Sequence, residues 1–184
     1  MRLLALLFVS MPLAAAELLV NGAFESPLDS GWARDSGGHA RATFSRGTGY
    51  HPDPDYEARV HLGPADGYAA ISQTVAVPSL ALAFGADLSL YAHITEPVNW
   101  TAASCRLTYR DSLLAPLGET RIFMATARCT WHSGPTIHLI RVADSAWHRY
   151  ELDIAAEMRE NLPGIDPARV RFITVSLRDT AGAS

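Results

Sequence analysis

The sequence predicts an all-β fold, a β-sandwich or jelly roll with one short helix, and three observations carry that prediction. Short apolar or alternating runs recur between clusters of Gly, Pro, Asp and Ser, which is the punctuation of successive strands and turns. Helical periodicity is nearly absent. In the stretch 86–95, Leu88, Leu90, Ala92 and Ile94 alternate with Ser89, Tyr91, His93 and Thr95, so one face belongs to a core and the other to water or a ligand. So many short strands in one chain must dispose of their edges, and packing two sheets face to face is the common solution.

Taken in order, residues 1–16 stand apart. Met1-Arg2, the apolar run 3–9 and Ala14-Ala15-Ala16 have the three parts of a signal peptide. Cleavage would leave a single domain, 17–184, secreted into an extracellular or periplasmic space. The apolar run is too short to span a bilayer, and no later stretch reaches about 18 apolar residues. Strands are expected over 18–24, 40–45, 57–62, 68–77, 80–83, 86–95, 104–110, 119–123, 127–132, 136–142, 148–154 and 170–178. The helix is expected over Ile154–Asn161 and stops at Leu162-Pro163-Gly164. Proline cannot continue the ladder there, and glycine accepts a left-handed turn.

The composition is globular, with 48% hydrophobic and 18% charged residues. The formal charge is −4, and all basic residues are arginine. A net negative chain is a poor partner for nucleic acid or an anionic membrane surface. Cys105 and Cys129, in an exported chain and on two candidate strands, read as a disulfide. Strand parity puts Cys105, Leu107 and Tyr109 on one face. The opposite parity turns Arg106, Thr108, Arg110, Arg128, Thr130 and His132 outward, beside Ser89, Tyr91 and His93. Trp32, Trp131 and Trp147 are assigned to the core, and Trp100, after Pro97-Val98-Asn99, to an exposed loop.

The opening Leu18-Leu19-Val20-Asn21-Gly22-Ala23-Phe24-Glu25, followed by Gly31-Trp32, resembles the start of jelly-roll carbohydrate-binding modules with a galactose-binding-like fold. The strand Ile71-Ser72-Gln73-Thr74-Val75, the later Trp147, Tyr150 and Asp153-Ile154, and the run 170–177 are similar to further strands of that group. The resemblance implies that a polysaccharide or glycan is bound across a concave sheet face, where rings stack on sugars and polar side chains pair with hydroxyls. Tyr91, His93, Arg106, Arg128 and Trp100 are the candidates here. The two arginines bias the ligand toward uronates, because a guanidinium grips a carboxylate through two hydrogen bonds. The resemblance also implies a structural Ca²⁺, held by Glu25 and a carboxylate of a final "F-D-D-V-x-L" strand. This sequence lacks that strand, which leaves Asp179 as a local substitute. On this reading the last strand is missing and a C-terminal domain lies outside the chain.

Two other functions compete with a non-catalytic glycan binder, which could itself be attached to or derived from a glycoside-active enzyme. One is an extracellular structural or adhesion domain, because sandwiches host unrelated functions. The other is a jelly-roll polysaccharide lyase, in which Tyr91 or His93 would move protons and Arg106 and Arg128 would neutralise a uronate. None of the lyase signature strings is present, so the binder is preferred.

Overall fold

The computed structural model describes residues 17–49, 52, 54–94 and 99–182, so the signal-peptide expectation for 1–16 lies outside the described residues. The described residues form ten strands: β1 Ala33–Gly38, β2 Ala42–Gly47, β3 Glu57–Leu62, β4 Gly67–Ala76, β5 Ala83–Leu88, β6 Trp100–Arg110, β7 Pro116–Ala125, β8 Ile137–Arg141, β9 His148–Asp153 and β10 Phe172–Gly182. A helix α1, Ile154–Asn161, follows β9, and a 3-10 turn, Pro167–Arg169, precedes β10.

One layer is a six-stranded sheet in the order β1-β4-β10-β6-β7-β8, antiparallel except for the parallel pair β7 and β8. The second layer consists of two antiparallel ribbons, β2-β3 and β5-β9. Alternation decides which side chains meet between the layers. Ile71, Cys105, Leu107, Tyr109, Ile122, Ile173 and Val175 point inward from the large sheet. They pack with Phe44, Ala58 and Val60 of one ribbon, Phe84, Leu88 and Leu152 of the other, and Ile154 and Met158 of α1. The all-β sandwich expected from the sequence is thus the fold.

The opening motif makes a turn where a strand was expected. Asn21 accepts from the Ser26 N–H at 2.8 Å and donates to the carbonyls of Ser26 and Pro27. Trp32 donates from its indole to the Asn21 carbonyl at 3.0 Å. Gly31 holds φ of +110°, and a Cβ there would fall 2.9 Å from the Val20 carbonyl oxygen, so only glycine suits the position. The buried Gln73 side chain then takes both backbone groups of Val20, accepting at 2.7 Å and donating at 2.8 Å. Strand β1 was not foreseen, because its residues Ala-Arg-Asp-Ser-Gly-Gly carry no apolar alternation. It survives at the sheet edge through its ladder to β4.

The largest departure from expectation lies at 127–132, which is a loop. A parallel pair needs a crossover, so the segment between β7 and β8 must travel back along the sheet. It does so over the outer face, away from the ribbons, where Cys129, Trp131, Trp100 and Leu139 cover Ala102, Phe123 and Ala125 in a separate apolar cluster. This overturns the expected disulfide. Cys105 is buried between the layers, Cys129 lies on the other side of the sheet, and both thiols are free. It also corrects the core assignment of Trp131.

Candidate functional site

The outer face is built by the side chains that parity turns away from the ribbons. Cross-strand pairing sets them in rows. Ser72, Ser176, Arg106, Arg121 and Leu139 form one row across β4, β10, β6, β7 and β8. Ala70, Arg178, Ser104, Phe123 and Arg141 form the next. Tyr68, Thr180, Ala102 and Ala125 form the third. Short side chains therefore pave the middle strands, with rings and guanidinium groups rising beside them.

The rings are packed against each other and against cations. Trp131 meets Trp100 edge-on with centroids 6.0 Å apart and tilts against Phe123 at 5.5 Å. The guanidinium carbons of Arg106 and Arg121 lie 5.0 and 4.6 Å from the centre of the Trp131 ring, and that of Arg178 lies 4.0 Å from the centre of the Tyr68 ring. Such cation–π contacts strengthen as water is removed. Trp100 lies against Gly182, its cross-strand partner, where a Cβ would collide with the indole.

Two of these arginines are fixed by hydrogen bonds from Nε, Arg106 to the Ser104 hydroxyl at 3.0 Å and Arg178 to the Thr180 hydroxyl at 3.2 Å. Arg121 pairs with Glu119. Burial, reinforced by the positive charges of Arg121 and Arg178 and opposed by Glu119, lowers Arg106 to about 10. It remains a cation at neutral pH. At the far edge Tyr68 donates to Asp35 at 3.1 Å, and that bond and charge raise the Tyr68 hydroxyl above its ordinary value.

Of the five residues predicted to bind ligand, Arg106 and Trp100 lie on this face, Trp100 as the half-buried first residue of β6 and not in the exposed loop expected for it. Arg128 sits on the crossover loop, its guanidinium 3.4 Å from the Asn99 side-chain oxygen. Tyr91 and His93 do not join them. The strand that was to align them ends at Leu88, and their rings stack at 6.2 Å beside the inward-parity residues Thr101, Asp179 and Ala181. With His61 and Leu62 these line a separate pocket of about 210 Å³. The four residues a lyase would need together therefore stand on opposite sides of the large sheet. Burial raises the Asp179 carboxyl although it accepts from the Leu62 N–H at 3.0 Å.

A second concavity of about 390 Å³ opens between the two ribbons, floored by Ile71, Cys105, Val175 and Leu177 and walled by Phe24, Phe84 and Trp147. Burial holds the Cys105 thiol at about 12, protonated and unreactive. The expected calcium ligands do not assemble. Glu25 is exposed beside Arg46, near one end of the β2-β3 ribbon, whereas Asp179 is bound to Leu62 at the other end. Among the described residues, no group of three or more His, Cys, Asp or Glu is placed to hold a metal ion.

Sequence reasoning missed Arg121, Arg178, Tyr68 and the outward placement of Trp131. Parity within their own segments was readable, but it takes the pairing of β6 with β7 and β10 to bring them to one face.

Comparison of the sequence with protein families gives no match. Comparison with curated proteins gives none either. Among solved structures, the chain is similar to the enzymatically active domain of bacteriophage CBA120 tailspike protein 4, with a TM-score of 0.47 and 14% identity over 89% of this chain and 19% of that one. It is also similar to the family 11 carbohydrate-binding module of the cellulosomal cellulase Lic26A-Cel5E of Clostridium thermocellum, with a TM-score of 0.40 and 14% identity over 88% of this chain and 92% of that one. A family 11 module from Clostridium thermocellum in complex with a β-1,3-1,4-mixed-linked tetrasaccharide gives a TM-score of 0.39 at 14% identity, covering 88% of this chain and 89% of that one.

Proposed function

We propose that this chain is a non-catalytic carbohydrate-binding domain of an exported protein, which holds a polysaccharide across the outer face of its six-stranded sheet. The observation that supports it is the ring-and-guanidinium surface of Trp131, Trp100, Tyr68, Arg106 and Arg178. The two indoles cover Ala102, Phe123 and Ala125 and are themselves half-exposed, which leaves ring surface for a sugar. Sugar rings present C–H faces that stack on aromatic rings, and hydroxyls that pair with fixed polar groups. Because Arg106 and Arg178 are held by neighbouring hydroxyls, little side-chain entropy is lost when a ligand arrives.

Hydration competes for every hydroxyl, so the expected dissociation constant is about 10 µM to 1 mM. Affinity electrophoresis through gels containing soluble polysaccharides, with pull-downs on insoluble ones, tests the reading. Retardation by at least one glycan that Trp131→Ala weakens about tenfold is the expected result. Failure of every polysaccharide to retard the wild-type chain transfers the fold to an adhesion or structural role.

A further inference from the structure

We infer that the polysaccharide held on this face is a polyuronate, its carboxylates gripped by the guanidinium groups of Arg106 and Arg178 with Arg121 beside them. The inference rests on the glycan-binding reading above and specifies its ligand.

The charge on the face is unbalanced. Arg106 is opposite Arg121 in the β6-β7 ladder, and Arg178 is opposite Ser104 in the β10-β6 ladder, so three cations crowd one patch. The charged and titratable groups that face Arg106 are Arg121, Arg178, Glu119 and Cys129, and Glu119 is the one carboxylate among them. It is already paired with Arg121. Asp35, at the far side, is engaged by Tyr68. This positive patch belongs to a chain whose formal charge is −4, so it is a local construction and not a background of basic residues. Gathering like charges on a half-buried surface costs stability unless an anion repays it.

The hydrogen-bond geometry points the same way. Arg106 and Arg178 spend Nε on Ser104 and Thr180, which fixes the plane of each guanidinium and leaves its terminal edge as a two-pronged donor. That edge matches a carboxylate, a planar group with two parallel acceptors. Arg121 adds a separate signal, since its Nε is shielded from solvent and has no acceptor among the described residues. A buried donor without an acceptor is costly, so the Arg121 guanidinium is incompletely satisfied where it packs against Trp131. The indole of Trp131, against both Arg106 and Arg121, offers a stacking surface next to the cations, so a sugar ring and its carboxylate are recognised side by side.

The test is affinity electrophoresis of the full chain in gels of polygalacturonate, alginate, dextran sulfate, and neutral mixed-linked glucan and galactomannan. Polyuronate should retard the protein most. Arg106→Gln and Arg178→Gln should each weaken that interaction about tenfold, and Arg106→Lys should restore only part of it, because an ammonium keeps the charge without the fork. Arg159→Gln, on an exposed part of α1, should match wild type. Raising ionic strength from about 0.01 M to about 1 M, which shortens the Debye length from about 30 Å to about 3 Å, should remove most of the retardation. Thermal melts confirm that each variant is folded. Stronger retardation by a neutral glycan, equal retardation by dextran sulfate, or polyuronate binding unchanged in folded Arg106→Gln and Arg178→Gln would overturn the polyuronate assignment and leave glycan binding standing. Retardation by none of the gels would remove glycan binding itself.

Discussion

Arg106 is kept charged against burial and against two like charges, and that arrangement has a stability consequence of its own. Its value lies at about 10, below that of an ordinary arginine. Between those two values the unfolded chain binds the extra proton, so stability rises with pH across that window. At neutral pH the folded state therefore carries the cation at a cost. Replacing Arg106 with Gln removes the buried charge and its repulsion from Arg121 and Arg178. We expect Arg106→Gln to melt at a higher temperature than wild type at pH 7 while binding more weakly, a trade typical of functional sites. A lower melting temperature by differential scanning calorimetry would mean that the arginine stabilises the fold and is there for structure. Arg106 was legible in the sequence because a strand with Leu107 and Tyr109 inward must turn it outward. Tyr91 and His93 misled because the alternation of 86–95 continues in sequence after the strand has ended at Leu88.

Among the elements, α1 shows how a correct boundary can hide its purpose. Asp153 caps it by accepting from the Ala156 N–H at 2.9 Å, and the stop at Leu162-Pro163-Gly164 falls where the sequence places it, although Gly164 does not take the left-handed turn expected of it. The sequence does not reveal that Glu157 is buried on the sandwich side. One carboxylate oxygen accepts from Thr120 and bonds His138, both at 2.6 Å, and the other accepts from Asn161 at 2.8 Å. The Tyr109 hydroxyl completes the network at 3.2 Å from Thr120 and is raised to about 12, chiefly by burial. These partners come from β6, β7, β8 and α1, and no local pattern links them. Glu157→Ala would orphan several buried groups and should cost about 3 kcal/mol, measured by urea denaturation, with glycan binding retained at temperatures where the variant is folded. The strands β3 and β9 were legible almost to the residue because their more and less exposed positions alternate, with Glu57 alone out of step. The segment 127–132 alternates too, yet it is the crossover demanded by a parallel pair. Strand order is a property of pairing, which local alternation does not encode.

At the scale of the whole molecule, the large sheet divides the chemistry. Its inner face, the ribbons and α1 make the hydrophobic core, and its outer face gathers rings and cations. The sandwich class was readable from punctuation and alternation. Which face carries a site was only half readable, since that depends on where the β7-to-β8 crossover lays Trp131. Among the described residues, the outer face, the Tyr91–His93 pocket and the cavity between the ribbons are candidate regions for a ligand. The central claim is that ligand binds the first. An NMR titration of the ¹⁵N-labelled chain with a short uronate oligosaccharide reads all three at once, through the indole N–H signals of Trp100, Trp131, Trp32 and Trp147 and the backbone signals of Tyr91 and His93. The account predicts saturable shifts at Trp100 and Trp131 together with the Arg106 and Arg178 side chains, while Trp32, Trp147, Tyr91 and His93 stay in place; shifts confined to Tyr91 and His93, or to Trp147, would contradict it.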